Sequence, residues 1–427
     1  MLGHDLPLAT ALPFVVLLLA IALAPLLAPR WWHHHRNKAL VAVVASLPVL
    51  LYLGFGLGWE GRHLLAEKAH EYLGFIVVIA ALFVISGGIH IQGSLAGTPL
   101  VNTGMLGIGA VLANLTGTTG ASVLLIRPLL RANKRRKRVA HIVIFFIFIV
   151  ANCGGLLTPI GDPPLLLGFL KGVPFGWTLQ LWPQWLFVNG VLLVIFNVWD
   201  QWALSKDEKE LPGSQHEQVL IHEPLEIKGL LPIMALGGVV AAIVMAWPTT
   251  VIAGLGILGY IVGTAENRTK NAFTFGPIIE VAILFAAIFV TMAPVLELLN
   301  AWAQRPDFAL SKPVHFFWTT GALSSVLDNA PTYLAFAAAA AGLHGVAPHG
   351  PYIGTLALSP ESAKLLAAIS SGAVFMGANT YIGNAPNFMV KAIAEGSGVT
   401  MPSFFGYLLY SVGILIPLLL AVSLIFF

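Results

Sequence analysis

The residues able to do chemistry in this sequence are the few polar ones set inside long apolar runs. Two stretches share the pattern Thr-x-Ile-Gly-Asp/Asn-x-Pro: Thr158 to Pro164 contains Asp162, and Thr380 to Pro386 contains Asn384. Two others mix hydroxyls, amides and helix breakers, Thr116-Gly-Thr-Thr-Gly120 and Asp328-Asn-Ala-Pro331. A carboxylate near mid-membrane costs roughly 2.5 to 3.5 kcal/mol on an insertion scale, so an idle one is disfavoured. Removal from water favours the protonated form of a carboxylate, which lets it exchange a proton for a cation near neutral pH. Asp162 and Asp328 are therefore the expected proton- and cation-binding residues. Thr116, Thr118, Thr119, Thr158, Asn329, Thr332, Thr380, Asn384 and Asn387 offer the neutral oxygens that a hard cation such as sodium prefers. Any one of them is equally explained by a bond to a neighbouring helix. Glu280 and His90, close to the ends of apolar segments, are accessory candidates, against the plainer reading of interfacial or locally paired groups.

The elements that must position these residues are helices in a bilayer. In 427 residues, 57% are hydrophobic and 10% charged, with a mean hydropathy of +0.85, more apolar surface than a water-soluble core can hide. Spanning strands would alternate in polarity, whereas the apolar runs here are long enough for helices. The runs form two sets on either side of a polar stretch, 200–228, expected to be a cytoplasmic linker. Basic clusters at 30–38 and 127–138 both belong on the cytoplasmic side, yet three apolar segments separate them. One segment must therefore enter and leave on the same side. Segment 99–126, interrupted by Thr116 to Gly120, is the expected re-entrant hairpin, and 313–341, interrupted at Asp328 to Pro331, is a second that opens outward. Segments 139–170 and 364–391 are expected to be helices broken in mid-membrane. The expected fold is an all-α polytopic membrane protein of two inverted repeats, 1–199 and 229–427, each with five spanning helices and one hairpin. It belongs in the bacterial inner membrane, in contact with lipid, with both termini on the outer side.

Other function classes find little support. A net charge of +3 gives no basis for nucleic-acid binding, and the single Cys153 excludes a cysteine-based zinc site. No glycine-rich phosphate loop followed by lysine and serine or threonine is present, so transport is expected to run on ion gradients, without a cofactor or a resident metal. An enzyme reading has only Asp162 with Asp328 to offer, as the imitation of an aspartyl dyad in a membrane-embedded hydrolase.

The broken segments Gly117 to Pro128, Leu157 to Pro164, Leu327 to Thr332 and Gly377 to Asn387 resemble those of NhaD-type sodium/proton antiporters. These belong to the ion transporter superfamily, which also holds arsenite efflux proteins and citrate or dicarboxylate carriers. The resemblance, from about residue 70 to the C-terminus, implies two hairpins and two unwound helices around a central site, a homodimer built on a scaffold, and elevator-like movement of the transport region. Carboxylate carriers of that superfamily tend to have Ser-Asn-Thr at the hairpin tips, where this chain has Thr-Gly-Thr-Thr and Asp-Asn-Ala-Pro-Thr. The expected activity is export of sodium or lithium against entering protons. The alternative is an anion carrier for arsenite, citrate or a dicarboxylate, with helix N-termini binding the substrate.

Overall fold

A computed structural model of the chain describes residues 6–210 and 223–427. It is a bundle of helices: α1 (Leu12–Leu27), α2 (His35–Leu51), α3 (Gly58–Gly87), α4 (Pro99–Ala132), α5 (Ala140–Ile149), α6 (Pro163–Leu170) and α7 (Trp182–Glu210) in the first part. The second part holds α8 (Leu230–Val244), α9 (Thr249–Val262), α10 (Gly276–Ala303), α11 (Pro313–Ser324), α12 (Asn329–Leu343), α13 (Pro360–Met376), α14 (Ala385–Gly396) and a final helix over Phe404–Phe426. Among the described residues, seven helices are long and apolar enough to cross a membrane. This is a multi-pass membrane protein. Many of its exposed side chains are large and apolar, such as Leu47, Phe55, Val198, Ile261 and Leu424, as suits surfaces solvated by lipid.

Two helical segments turn back on themselves. Unbroken, the 34 residues of α4 would reach about 51 Å from end to end. Instead Asn102 and Asn133, near opposite ends, exchange side-chain hydrogen bonds of 3.0 and 2.8 Å. The reversal is at Gly117, whose φ of 76° and ψ of 156° are open to glycine and hostile to other residues. In the second part, α11 and α12 fold together with Phe316 and Phe336 in edge contact at 6.4 Å, and Asp328 caps α12 by accepting from the Ala330 amide at 3.0 Å.

Two further segments are interrupted. The first passes from α5 through a tight turn at Cys153–Leu156 to α6, and the second from α13 through Gly377–Asn379 to α14. Each break is closed by two glycines in contact. A Cβ on Gly161 would lie 2.1 Å from the Gly155 carbonyl oxygen, and one on Gly383 would lie 2.6 Å from that of Gly377.

Several sequence expectations need correction. Residues 200–210, assigned to a linker, continue α7, and 223–228 form a strand pairing antiparallel with His90–Ser94; the interval 211–222 lies outside the described residues. That two-stranded ribbon is the one departure from an all-helical fold among the described residues. The polar character of 200–210 serves ion pairing: Arg136, 1% exposed in its side chain, meets Asp200 at 2.6 Å, and Arg138 meets Asp207 at 2.6 Å. Part of the basic cluster at 127–138 therefore fastens the open end of the α4 hairpin to α7. Helix α3 starts at Gly58, and its polar first half carries a buried ion pair, Lys68 with Glu71 at 3.2 Å.

Candidate functional site

Asp162 stands at the start of α6, immediately after the first break, and is 1% exposed. Its residue before the helix must leave helical geometry, and the prolines at 163 and 164 enforce this. Three side chains from three other segments donate to its carboxylate: Thr118 Oγ1 to Oδ1 at 2.7 Å, Asn329 Nδ2 to Oδ2 at 2.5 Å, and Asn384 Nδ2 to Oδ1 at 3.2 Å. Thr118 is at the tip of the α4 hairpin, Asn329 at the tip of the α11–α12 hairpin, and Asn384 in the second break. Both hairpins and both breaks thus converge on one carboxylate.

The two breaks are built alike. Asp162 has φ −146° and ψ 147°, and Asn384, at the same place in the shared pattern, has φ −150° and ψ 141°. Thr158 donates to the Asn114 carbonyl at 2.6 Å, and Thr380 donates to the Ser325 carbonyl at 2.5 Å. Each threonine joins its break to the backbone just before a hairpin tip. Asn387 donates to the Gly377 and Thr380 carbonyls at 2.8 Å each, and its Oδ1 accepts from Asn152 at 2.7 Å.

The remaining candidates lie elsewhere. Asp328 is partly exposed and bonds its own helix, while its neighbour Asn329 bonds Asp162. Thr116 and Thr332 bond backbone carbonyls of their own segments, and Thr119 is half-buried beside the tip. Glu280 forms an ion pair with Lys38 at 2.5 Å, and His90 is buried on Asn271 at 2.7 Å, so both act in packing the first part against the second. Sequence reasoning missed Asn114 and Asn152. Asn114 braces the tip, accepting from Leu157 N at 2.9 Å and donating to the Gly154 carbonyl at 2.7 Å. Asn152 accepts from Asn384 at 3.1 Å. An asparagine within an apolar run was the available signal. Glu297, 2% exposed within α10, is a further buried acid in an apolar helix.

Chemically, the site is one carboxylate surrounded by amides and hydroxyls. Asn329 Oδ1 is buried and has no hydrogen-bond partner among the described residues, so a free acceptor lies beside the charge. Prolines in the first turns of α6, α12 and α14 remove amide donors from those helix ends. Such ends retain their dipoles and offer few hydrogen bonds to an anion.

The sequence profile of a family described as "Putative citrate transport" matches residues 3–427. The chain belongs to that family. It is a secondary transporter and not an enzyme, and the membership supports an ion and citrate transporter family in general rather than the sodium/proton antiporters in particular. No curated protein matches the chain in sequence. The balance therefore moves from sodium/proton exchange toward anion carriage, and the hairpin-tip departure that favoured sodium does not separate the two.

Proposed function

We propose that this protein carries an organic anion of the citrate class, coupled to a proton or cation held at Asp162. The observation that carries the reading is the buried Asp162 carboxylate, bonded by Thr118, Asn329 and Asn384 in a member of a citrate transport family. A polycarboxylate approaching an ionised Asp162 is repelled, so loading requires that charge to be neutralised first by a proton or a metal cation. With the helix ends short of donors, the side-chain amides of Asn329 and Asn384, which bond Asp162, recognise the substrate, assisted by the bound cation. Asp328 lies at the rim and receives the coupling ion on its way in or out. The alternation of access comes from two repeats of inverted topology, each contributing a hairpin and a broken helix; the matched geometry of Asp162 and Asn384 supports it. The protein works as a homodimer in a bacterial inner membrane.

Uptake of labelled citrate into proteoliposomes, with and without a sodium or pH gradient, tests the reading. Gradient-stimulated uptake that Asp162→Asn abolishes is the expected result. No citrate uptake, with sodium dissipating a preset pH gradient instead, transfers the site to sodium/proton antiport. That second reading is favoured by the oxygen-rich surroundings of Asp162 and the open Asn329 acceptor.

A further inference from the structure

Away from Asp162, charged side chains gather where the far ends of α6 and α12 meet α3 and α10. Helix α6 runs from Asp162 to its C-cap Lys171, whose ammonium pairs with Glu71 of α3 and lies 3.6 Å from Glu67. Lys68 of α3, 1% exposed, meets Glu71 at 3.2 Å. Helix α12 runs from Asp328 toward the loop 344–351, where His349 places Nδ1 3.6 Å from Glu67 Oε2 and Nε2 3.3 Å from Glu297 Oε1 of α10. The amide of Gly350 donates to Glu67 at 2.9 Å, and the Tyr352 ring lies 5.3 Å from the Lys171 ammonium.

An ionised carboxylate only accepts hydrogen bonds, and a neutral imidazole donates from one nitrogen while the other presents a lone pair. Where both carboxylates are ionised, the ring between them is therefore matched only in its charged form. The charges agree, because Glu67, Glu71 and Glu297 outnumber Lys68 and Lys171 by one, and an imidazolium closes the balance. The contact with Glu67 is the main influence holding His349 above the ordinary histidine value. The ring is 43% exposed, so it exchanges protons with the medium.

We infer that Glu67, His349 and Glu297 form a proton-binding site separate from Asp162, and that its occupied state ties the tail of the Asp328-bearing helix to α3 and α10. The tie is complete below the ordinary histidine value of about 6.5 and is lost as pH rises through the elevated value in the folded protein. Helices α6 and α12 start at the central site and end at this cluster. Any shift of the site against α3 and α10 must part these ion pairs, so acid on this face slows turnover. For a pair this exposed the slowing is about twofold to fivefold.

The test uses the full-length protein, compared as wild type, His349→Gln and Glu297→Gln from about pH 5.5 to about pH 8.5. Wild type should melt at higher temperature on the acid side and, in proteoliposomes, transport more slowly there. Loss of the acid-side gain in melting temperature in either variant supports the site. Retention of the wild-type gain in both variants overturns it. Melting is read without cargo, so a failed citrate assignment leaves this result standing.

Discussion

The break that carries Asp162 and the break that carries Asn384 are nearly the same object in backbone and differ in one charge. Each has a glycine pair in contact, a threonine bonded to the carbonyl before a hairpin tip, an extended residue at the helix start, and proline just after it. In the first break the extended residue receives hydrogen bonds, and in the second it gives them. Asn384 donates to the Ala151 carbonyl at 3.2 Å, to Asn152 Oδ1 at 3.1 Å and to Asp162. A shared backbone supplies two places for a ligand, and side-chain polarity makes one the charge and the other its support.

The sharpest way to break this comparison is to remove the charge. Asp162→Asn should lower initial transport rate in proteoliposomes by more than about 100-fold, with the protein still reaching the membrane. Exchanging the residues, Asp162→Asn with Asn384→Asp, should leave transport equally low, because a carboxylate at 384 would face the Ala151 carbonyl and Asn152 Oδ1. Recovery to within about tenfold of wild type would show the breaks to be interchangeable.

Next come the glycines. Gly161→Ala drives a methyl into the Gly155 carbonyl and Gly383→Ala into that of Gly377, at 2.1 and 2.6 Å before relaxation. Both should destabilise by about 1–3 kcal/mol, the first more than the second, as thermal melting in detergent will show. Asn384→Ala should slow transport about tenfold through loss of one donor to Asp162. Smallest are Thr158→Val and Thr380→Val, each removing one equivalent bond and each expected to cost about 1 kcal/mol in the same melting assay. A large inequality between these two would mean that the breaks do not carry equal structural loads.

The breaks were legible in the sequence because glycine, proline and aspartate stand out against apolar surroundings, and bilayer physics gives such residues few excuses. Gly117 was legible as an interruption for the same reason, and its positive φ accounts for the turn. What stayed hidden depends on tertiary partners. Asn114 and Asn152 lie in otherwise ordinary apolar runs and acquire meaning only when the tips and breaks meet. Glu297 and His349 are 52 positions apart, and Glu67 is further still, so no local pattern joins them. The polar residues 200–210 were misread because a linker and a helix face that pairs with buried arginine have similar compositions.

The Arg136–Asp200 pair, buried at 1% and 0% side-chain exposure, has a mechanical corollary. Stripping one partner from such a pair costs about 3–5 kcal/mol, far above thermal energy. Sliding the α4 hairpin along α7 would part this pair, so the pair favours movement of the hairpin's open end and the long helix together.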